Sequence, residues 1–454
     1  MTDRPDYLER GEKARLFPVL ADTSKEGRTT SIVLACLAHV QEFGRAMLAT
    51  VGQRVGTRAQ VACYTEICFK KGEKPKGDRP DGLIVLKIGG REWKALVEAK
   101  VGNNDLEQGQ VERYLELARQ NEIDAVITIS NQFASTPTEH PISVTRRAAA
   151  KVELYHWSWM HVLTQAALLL QNDEVVDGDQ AAILLELSRF LSHDSAGVKG
   201  FDSMPASWSE LVQAVANGVA ITPRTASAKE VVEAWHQEAR DLSLILSRKI
   251  GVHVTTRLPR AHRTDSQARL KADLELLSKE NIIQAAWDIK DAAGPLECCI
   301  DVKTKTIISS MKVRAPSDRV KANSRLKWLL RQLHNISAEE MFVRLHWTGP
   351  GSFTQHPLAE LRENPDLVLR DRLNAQLHTL EVCLVRGLAR RFGQRKNFIT
   401  DVEALVPEFY ERAGQRLKPW QASAPKIRES STTVEEVEHE AEGEALSHPS
   451  PGSE

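Results

Sequence analysis

The chain of 454 residues lacks most of the features that announce a function. Its six cysteines, Cys36, Cys63, Cys68, Cys298, Cys299 and Cys383, form no CxxC pair. That spacing argues against a zinc site and a disulfide framework, so reduced thiols and a cytoplasmic setting are expected. No apolar run approaches the ~20 residues that span a bilayer, and MTDRPDYLERGEK has no apolar signal core, so no membrane is expected as a partner. The histidines show no HExxH spacing, and no nucleophile-elbow motif supports Ser-His-Asp catalysis. Gly89-Gly90 opens no helix, which excludes a phosphate loop there. Net charge is nearly absent too, at -1.

That near-zero charge hides an asymmetry. From Glu429 to Glu454 there are eight glutamates and no Lys or Arg, which leaves 60 basic against 53 acidic residues in 1–428. A mildly basic body suits a polyanion partner. The length suggests two or three domains. We read residues 1–200 as one domain, 201–228 as a Gly-, Pro- and Ser-containing linker, 229–420 as a second domain and 421–454 as a disordered acidic tail.

Periodicity then gives the order of elements. Residues 1–22 read as irregular, and a helical pattern runs from about Ser24 to Val51. Val61–Phe69 reads as a strand. RPDGLIVLKIGGREWKALVEAK, Arg79–Lys100, reads as two strands joined by a two-residue turn at Gly89-Gly90. Asn103-Asn104-Asp105 is expected to cap a helix running to about Gln120. Strands follow at Asp124–Ser130 and Val152–Trp159, then helices near 160–171 and 178–192. The second half reads as α+β, with a helix near 229–249 and strands at 282–289, 296–303 and 306–313. A helix near 317–334, the strand MFVRLHW and a helical end over 372–415 complete it.

The charges in the Gly-Gly hairpin are what carry chemistry. Side chains alternate across a strand, so Lys94, Leu96, Glu98 and Lys100 share one face. The hairpin returns the end of the second strand to the start of the first, where Asp81 lies. Two carboxylates and an ammonium then meet at one sheet edge. Carboxylate oxygens suit Mg2+, which would stabilise charge on a phosphate, and a lysine alongside would orient water. The plainer reading is a turn aspartate and a solvated ion pair of little energetic weight.

Pro80-Asp81 … Glu98-Ala99-Lys100, inside a helix–three strands–helix–strand order, resembles the PD-(D/E)xK nuclease superfamily. Gln110 and Tyr114 in QVERY resemble the Gln-x-x-x-Tyr of its RecB-like branch. The resemblance covers roughly residues 20–160. It implies an α/β fold, an αβββαβ restriction-endonuclease-like core, followed here by the C-terminal α+β domain. It implies Asp81 and Glu98 as ligands of Mg2+, for which Mn2+ can substitute, Lys100 as the catalytic lysine, and Gln110 and Tyr114 facing the site or the DNA backbone. A metal-dependent DNA nuclease in restriction, phage defence or repair follows as the expectation. The alternatives are an inactive nuclease fold that binds nucleic acid or protein, or a stress-response protein.

A third acid has two candidates. Glu26 fits the first-helix glutamate of that family, but Thr23-Ser24-Lys25-Glu26 equally reads as a capping box. Glu66, on the neighbouring strand, is a metal ligand or a strand-edge acid. In the second half, Lys303, Lys305, Lys312, Arg314, Arg319, Lys321, Arg325, Lys327 and Arg331 surround Trp328, and Arg386, Arg390, Arg391, Arg395 and Lys396 follow. Lys312, Arg314, Lys321, Arg390 and Arg391 are the candidate phosphate grips, against the reading of an ordinary solvated face. DNA is the expected partner, with a protein partner or a second copy also in view.

Overall fold

The apolar residues of the first half sort onto two sides of one sheet. The computed structural model describes residues 4–17, 25–70, 79–145, 151–349, 353–369 and 375–421. Among them β1 (Leu8–Lys13) is followed by α1 (Lys25–His39), α2 (Gln41–Ala49), β2 (Gln60–Phe69), β3 (Gly82–Ile88) and β4 (Arg91–Ala99). Then come α3 (Gln108–Gln120), β5 (Ala125–Ser130), β6 (Glu153–Ser158), α4 (Trp159–Gln171) and α5 (Gly178–Leu191). The sheet order is β1-β2-β3-β4-β5-β6, antiparallel as far as β4 and parallel from β4 to β6.

Alternation sets its two faces. Ile84, Leu86, Ala95, Val97, Ile127 and Ile129 join the core that includes residues of α1, α2, α4 and α5. Leu83, Val85, Leu96 and Val126 pack with Val111, Leu115 and Ala118 of α3. With both faces covered, the central strands read as near-continuous apolar runs, which is why they were visible in the sequence. Ile88 pairs with Arg91 across Gly89-Gly90, and Gly89 has φ +60°, as a tight hairpin turn requires.

The second half begins with α6 (Ser207–Ala216) and α7 (Ala226–Ile250), then β7 (Val254–Thr256), α8 (Arg260–Thr264), α9 (Ser266–Glu280), β8 (Ile282–Ile289), β9 (Leu296–Asp301) and β10 (Thr306–Arg314). It closes with α10 (Ala322–Gln332), β11 (Met341–Trp347), β12 (Thr354–Pro357), α11 (Leu358–Glu363), β13 (Leu377–Gly387) and α12 (Arg395–Arg412). Its seven-stranded sheet is antiparallel, in the order β12-β11-β13-β10-β9-β8-β7. One face of that sheet is buried in a core with α6, α7, α9, α10 and α12. The indole of Trp235 on α7 donates to Gln284 O at 2.8 Å, and that of Trp287 on β8 donates to Ala239 O at 2.9 Å.

Several expectations need correction. The 1–22 segment contains edge strand β1, whose LERGEK carries no apolar alternation to betray it. The single helix over 24–51 is two helices bent by 105°, because Val40 between them is extended. The cap expected at Asn103–Asp105 is absent: α3 starts at Gln108, and Glu107 at its N-cap makes no side-chain cap bond. Within the expected linker 201–228, residues Ser207–Ala216 form the packed helix α6: Trp208 is fully buried and its indole donates to Phe392 O at 2.9 Å. The helical end over 372–415 is mistaken for 377–387, which form β13 between β11 and β10. The tail after residue 421 and the Thr23-Ser24 part of the capping box lie outside the described residues. No single helix among the described residues is long and apolar enough to cross a membrane.

Candidate metal centre

The register of the hairpin does what the alternation promised. Gly82 pairs with Val97, so Asp81, just before β3, lies beside the end of β4. The Ala99 N–H donates to Asp81 Oδ2 at 2.8 Å and fixes that carboxylate. A side chain at Gly82 would stand 2.4 Å from Leu34 of α1. Glycine there lets α1 lie close on the strand, and α1 carries Glu26 in its first turn. Lys100 continues the parallel pairing, its N–H donating to Ile129 O at 2.8 Å, while Trp159 donates to its carbonyl at 2.7 Å.

Four side chains therefore converge. Oxygens of Glu26, Asp81 and Glu98 lie within 4.8 Å of one another. Lys100 Nζ donates to Glu98 Oε1 at 2.6 Å and to Glu26 Oε1 at 3.2 Å. Glu98 is only 2% exposed. Burial, and then the charge of Glu98, push Asp81 well above the usual carboxylate range, against the Ala99 N–H and Lys100, which pull it down. Burial also raises Glu98, with Lys100 opposing. Lys100 is raised: burial works against its charge, but the bond to Glu98 and the charges of Glu98, Glu26 and Asp81 outweigh it.

The donor set fits a divalent cation. Three carboxylates face one ammonium, so full ionisation leaves the cluster short of positive charge. Glu98 Oε2 is buried with no hydrogen-bond partner, and the Tyr114 hydroxyl favours the ionised form of Glu98. A buried carboxylate oxygen without a partner is costly. Hard oxygen ligands of this kind suit Mg2+ or Mn2+.

Residues around the cluster brace it. Gln110 Nε2 donates to Tyr114 Oη at 3.3 Å, and Tyr114 Oη donates to Arg79 O at 3.0 Å, two residues before Asp81. Tyr114 is 2% exposed, so it supports the site from within and does not present a ring to nucleic acid. Glu66 is not part of the cluster: it is exposed at a bulge against β1, with φ +52° turning it away. That bulge breaks the period-two count which made Glu66 a candidate.

Sequence reading missed a polar row beside the acids. Glu98, Thr128 and His156 are register partners across β4, β5 and β6. Thr128 Oγ1 is 2.8 Å from His140 Nε2 and 2.9 Å from His156 Nδ1, and His156 Nε2 donates to Gln132 O at 2.8 Å. Burial lowers His156 to about 3, so it is neutral, and Thr128 donates to its free Nδ1. His156 is thus a buried residue of β6. No motif signals this row, because it is assembled by strand register.

Among the candidate phosphate grips of the second half, Arg314 lies near one end of β10 and Arg390 and Arg391 near the other, about 26 Å away at the rise of a strand. Lys312 is bound to Glu297 at 2.7 Å, and Arg391 to Asp401 at 2.8 and 3.0 Å. Lys321, Arg314 and Arg390 are exposed. Arg325 is buried and donates to the carbonyls of Leu377 and Arg319.

Compared with family models, with curated proteins and with solved structures, the chain matches none.

Proposed function

We propose that the protein is a metal-dependent nuclease that hydrolyses phosphodiester bonds, with DNA as its substrate. The observation that carries this reading is the convergence of Glu26, Asp81 and Glu98 around a lysine bonded to two of them. The order α1, β2, β3, β4, α3, β5, with α2 inserted after α1, supports the likeness to the αβββαβ core of PD-(D/E)xK nucleases. A resident Mg2+ or Mn2+ held by the three acids would supply Lewis-acid chemistry at the phosphate.

The chain's own groups do the rest. Lys100, anchored through Glu98 and Glu26, orients the attacking water and offsets charge that develops on the phosphate. Ala99 N–H holds Asp81 in place, so that the acids are preorganised before substrate arrives. Gln110 and Tyr114 act on Arg79 and through it on the segment leading to Asp81. Such an activity would serve restriction, phage defence or repair, in a cytoplasmic setting. The test is cleavage of supercoiled, linear and single-stranded DNA with Mg2+ or Mn2+, and again with chelator. Cleavage only with metal supports the reading; no cleavage of any form with either metal contradicts it.

A further inference from the structure

Beside Glu26 opens a cavity of about 640 Å3, with Lys25, Asn103, Asn104, Asp194 and Lys199 also in its lining. It has room for far more than one phosphate group. We infer that Lys199 and Asn103 build a subsite for a phosphate next to the one being cut, so that the substrate is an extended polynucleotide strand and not a small phosphodiester. This inference rests on the nuclease reading of the adjoining acids.

The wall is built, not incidental. Lys199 comes from the stretch after α5, outside the resemblance to nucleases, and two loops are joined to place it. Gly102 N–H donates to Gly197 O at 2.7 Å. Asn131 donates to Gly102 O and to Gly197 O, each at 3.0 Å, and accepts from Lys199 N at 2.9 Å. Gly197 has φ +70°, and a side chain there would stand 3.0 Å from Gly102 N, so only glycine allows this approach. Thr29 of α1 donates to Ala196 O at 3.3 Å, tying the same loop to the helix that carries Glu26.

Free donors on Lys199 complete the argument. Lys199 Nζ donates one proton to Asn103 Oδ1 at 2.9 Å. An ammonium has three donors, so two remain for phosphate oxygens. The bond to Asn103 removes much of the side-chain freedom that a surface lysine would lose on binding. Lys25, at the start of α1, adds a second cation to the lining, against Glu26 and Asp194.

The test is anisotropy of a labelled oligonucleotide duplex of about 20 base pairs without divalent metal, across a salt series, together with steady-state cleavage with Mg2+. Lys199→Ala is expected to raise Kd about tenfold and to lower the salt slope by about 0.9, the value of one lost phosphate contact. KM should rise with kcat nearly constant, and Lys199→Arg should restore most of the affinity. Lys199 is exposed, so melting temperature should not move. Equal affinity and slope in wild type and Lys199→Ala would overturn the subsite while metal-dependent cleavage kept the nuclease reading. Loss of kcat with unchanged Kd would also overturn it. Binding that shows the Lys199 effect, without cleavage by wild type, would uphold the phosphate subsite and sink the nuclease reading. No binding of nucleic acid by wild type would overturn the inference.

Discussion

Two groups of buried and half-buried carboxylates sit in this chain and differ in kind. Asp81, Glu98 and Glu26 meet at the ends of β3 and β4. Glu238 and Asp241 on α7 lie with Glu403 of α12 in the second half. Burial leads the upward shift of Asp81 and Glu98 in the first group, and in the second Asp241 is pushed to about 6, Glu403 to about 7 and Glu238 well above its usual value. Both hold oxygens with no hydrogen-bond partner, Glu98 Oε2 in the first, Asp241 Oδ1 and both oxygens of Glu238 in the second. Yet only the first group, among the described residues, brings three ligand oxygens together. It also has a lysine bonded to two of its acids and a cavity beside Glu26. A buried acid marks a cost; convergence, a cation and access mark a site.

The largest effect should separate the groups by activity. Lys100→Ala or Asp81→Asn should lower kcat for DNA cleavage by about 10^2- to 10^3-fold, the scale of losing a positioned group at a developing oxyanion. Glu238→Gln should leave kcat within about twofold, since nothing links it to the reacting phosphate. If Glu238→Gln were as damaging as Asp81→Asn, the comparison would fail.

Stability should sharpen the contrast. Replacing an unpartnered buried acid by an apolar residue of similar volume removes a desolvation cost. Glu238→Met should therefore raise the melting temperature by about 2–4 °C. Glu98→Met also strips Lys100 of its 2.6 Å partner, so it should lower the melting temperature as well as abolish cleavage. A drop in melting temperature for Glu238→Met would show that its oxygens have partners after all.

The smallest effect depends on pH. Glu403 has its folded pKa raised, by burial first and by Asp241 next, with Arg248 opposing. The folded state thus binds that proton more tightly than the unfolded chain. Stability is full below the ordinary glutamate value and is lost as pH rises toward about 7. Glu403→Gln should melt within a degree or so of wild type near pH 5 and about 1–3 °C higher near pH 8. An equal offset at both pH values would contradict the shift.

The site was more legible than the fold that holds it. Asp81, Glu98 and Lys100 could be placed from a two-residue turn and period-two counting, because both rest on local geometry. Glu26 could not be decided, since its approach depends on how α1 packs over Gly82. Glu66 was misplaced by a bulge that sequence does not announce. The Glu98–Thr128–His156 row depends on register between strands far apart in the chain. In the second half, LHTLEVCLVRG reads equally as a buried strand or helix, and only its pairing with β10 and β11 makes it central.

The claim that one acid group is a metal centre and the other is not can be tested directly by calorimetric titration with Mn2+. Wild type and Glu238→Gln should bind alike, at one site, while Asp81→Asn and Glu98→Gln should lose most of that binding. Wild-type affinity that survives both Asp81→Asn and Glu98→Gln, or that falls with Glu238→Gln, would contradict it.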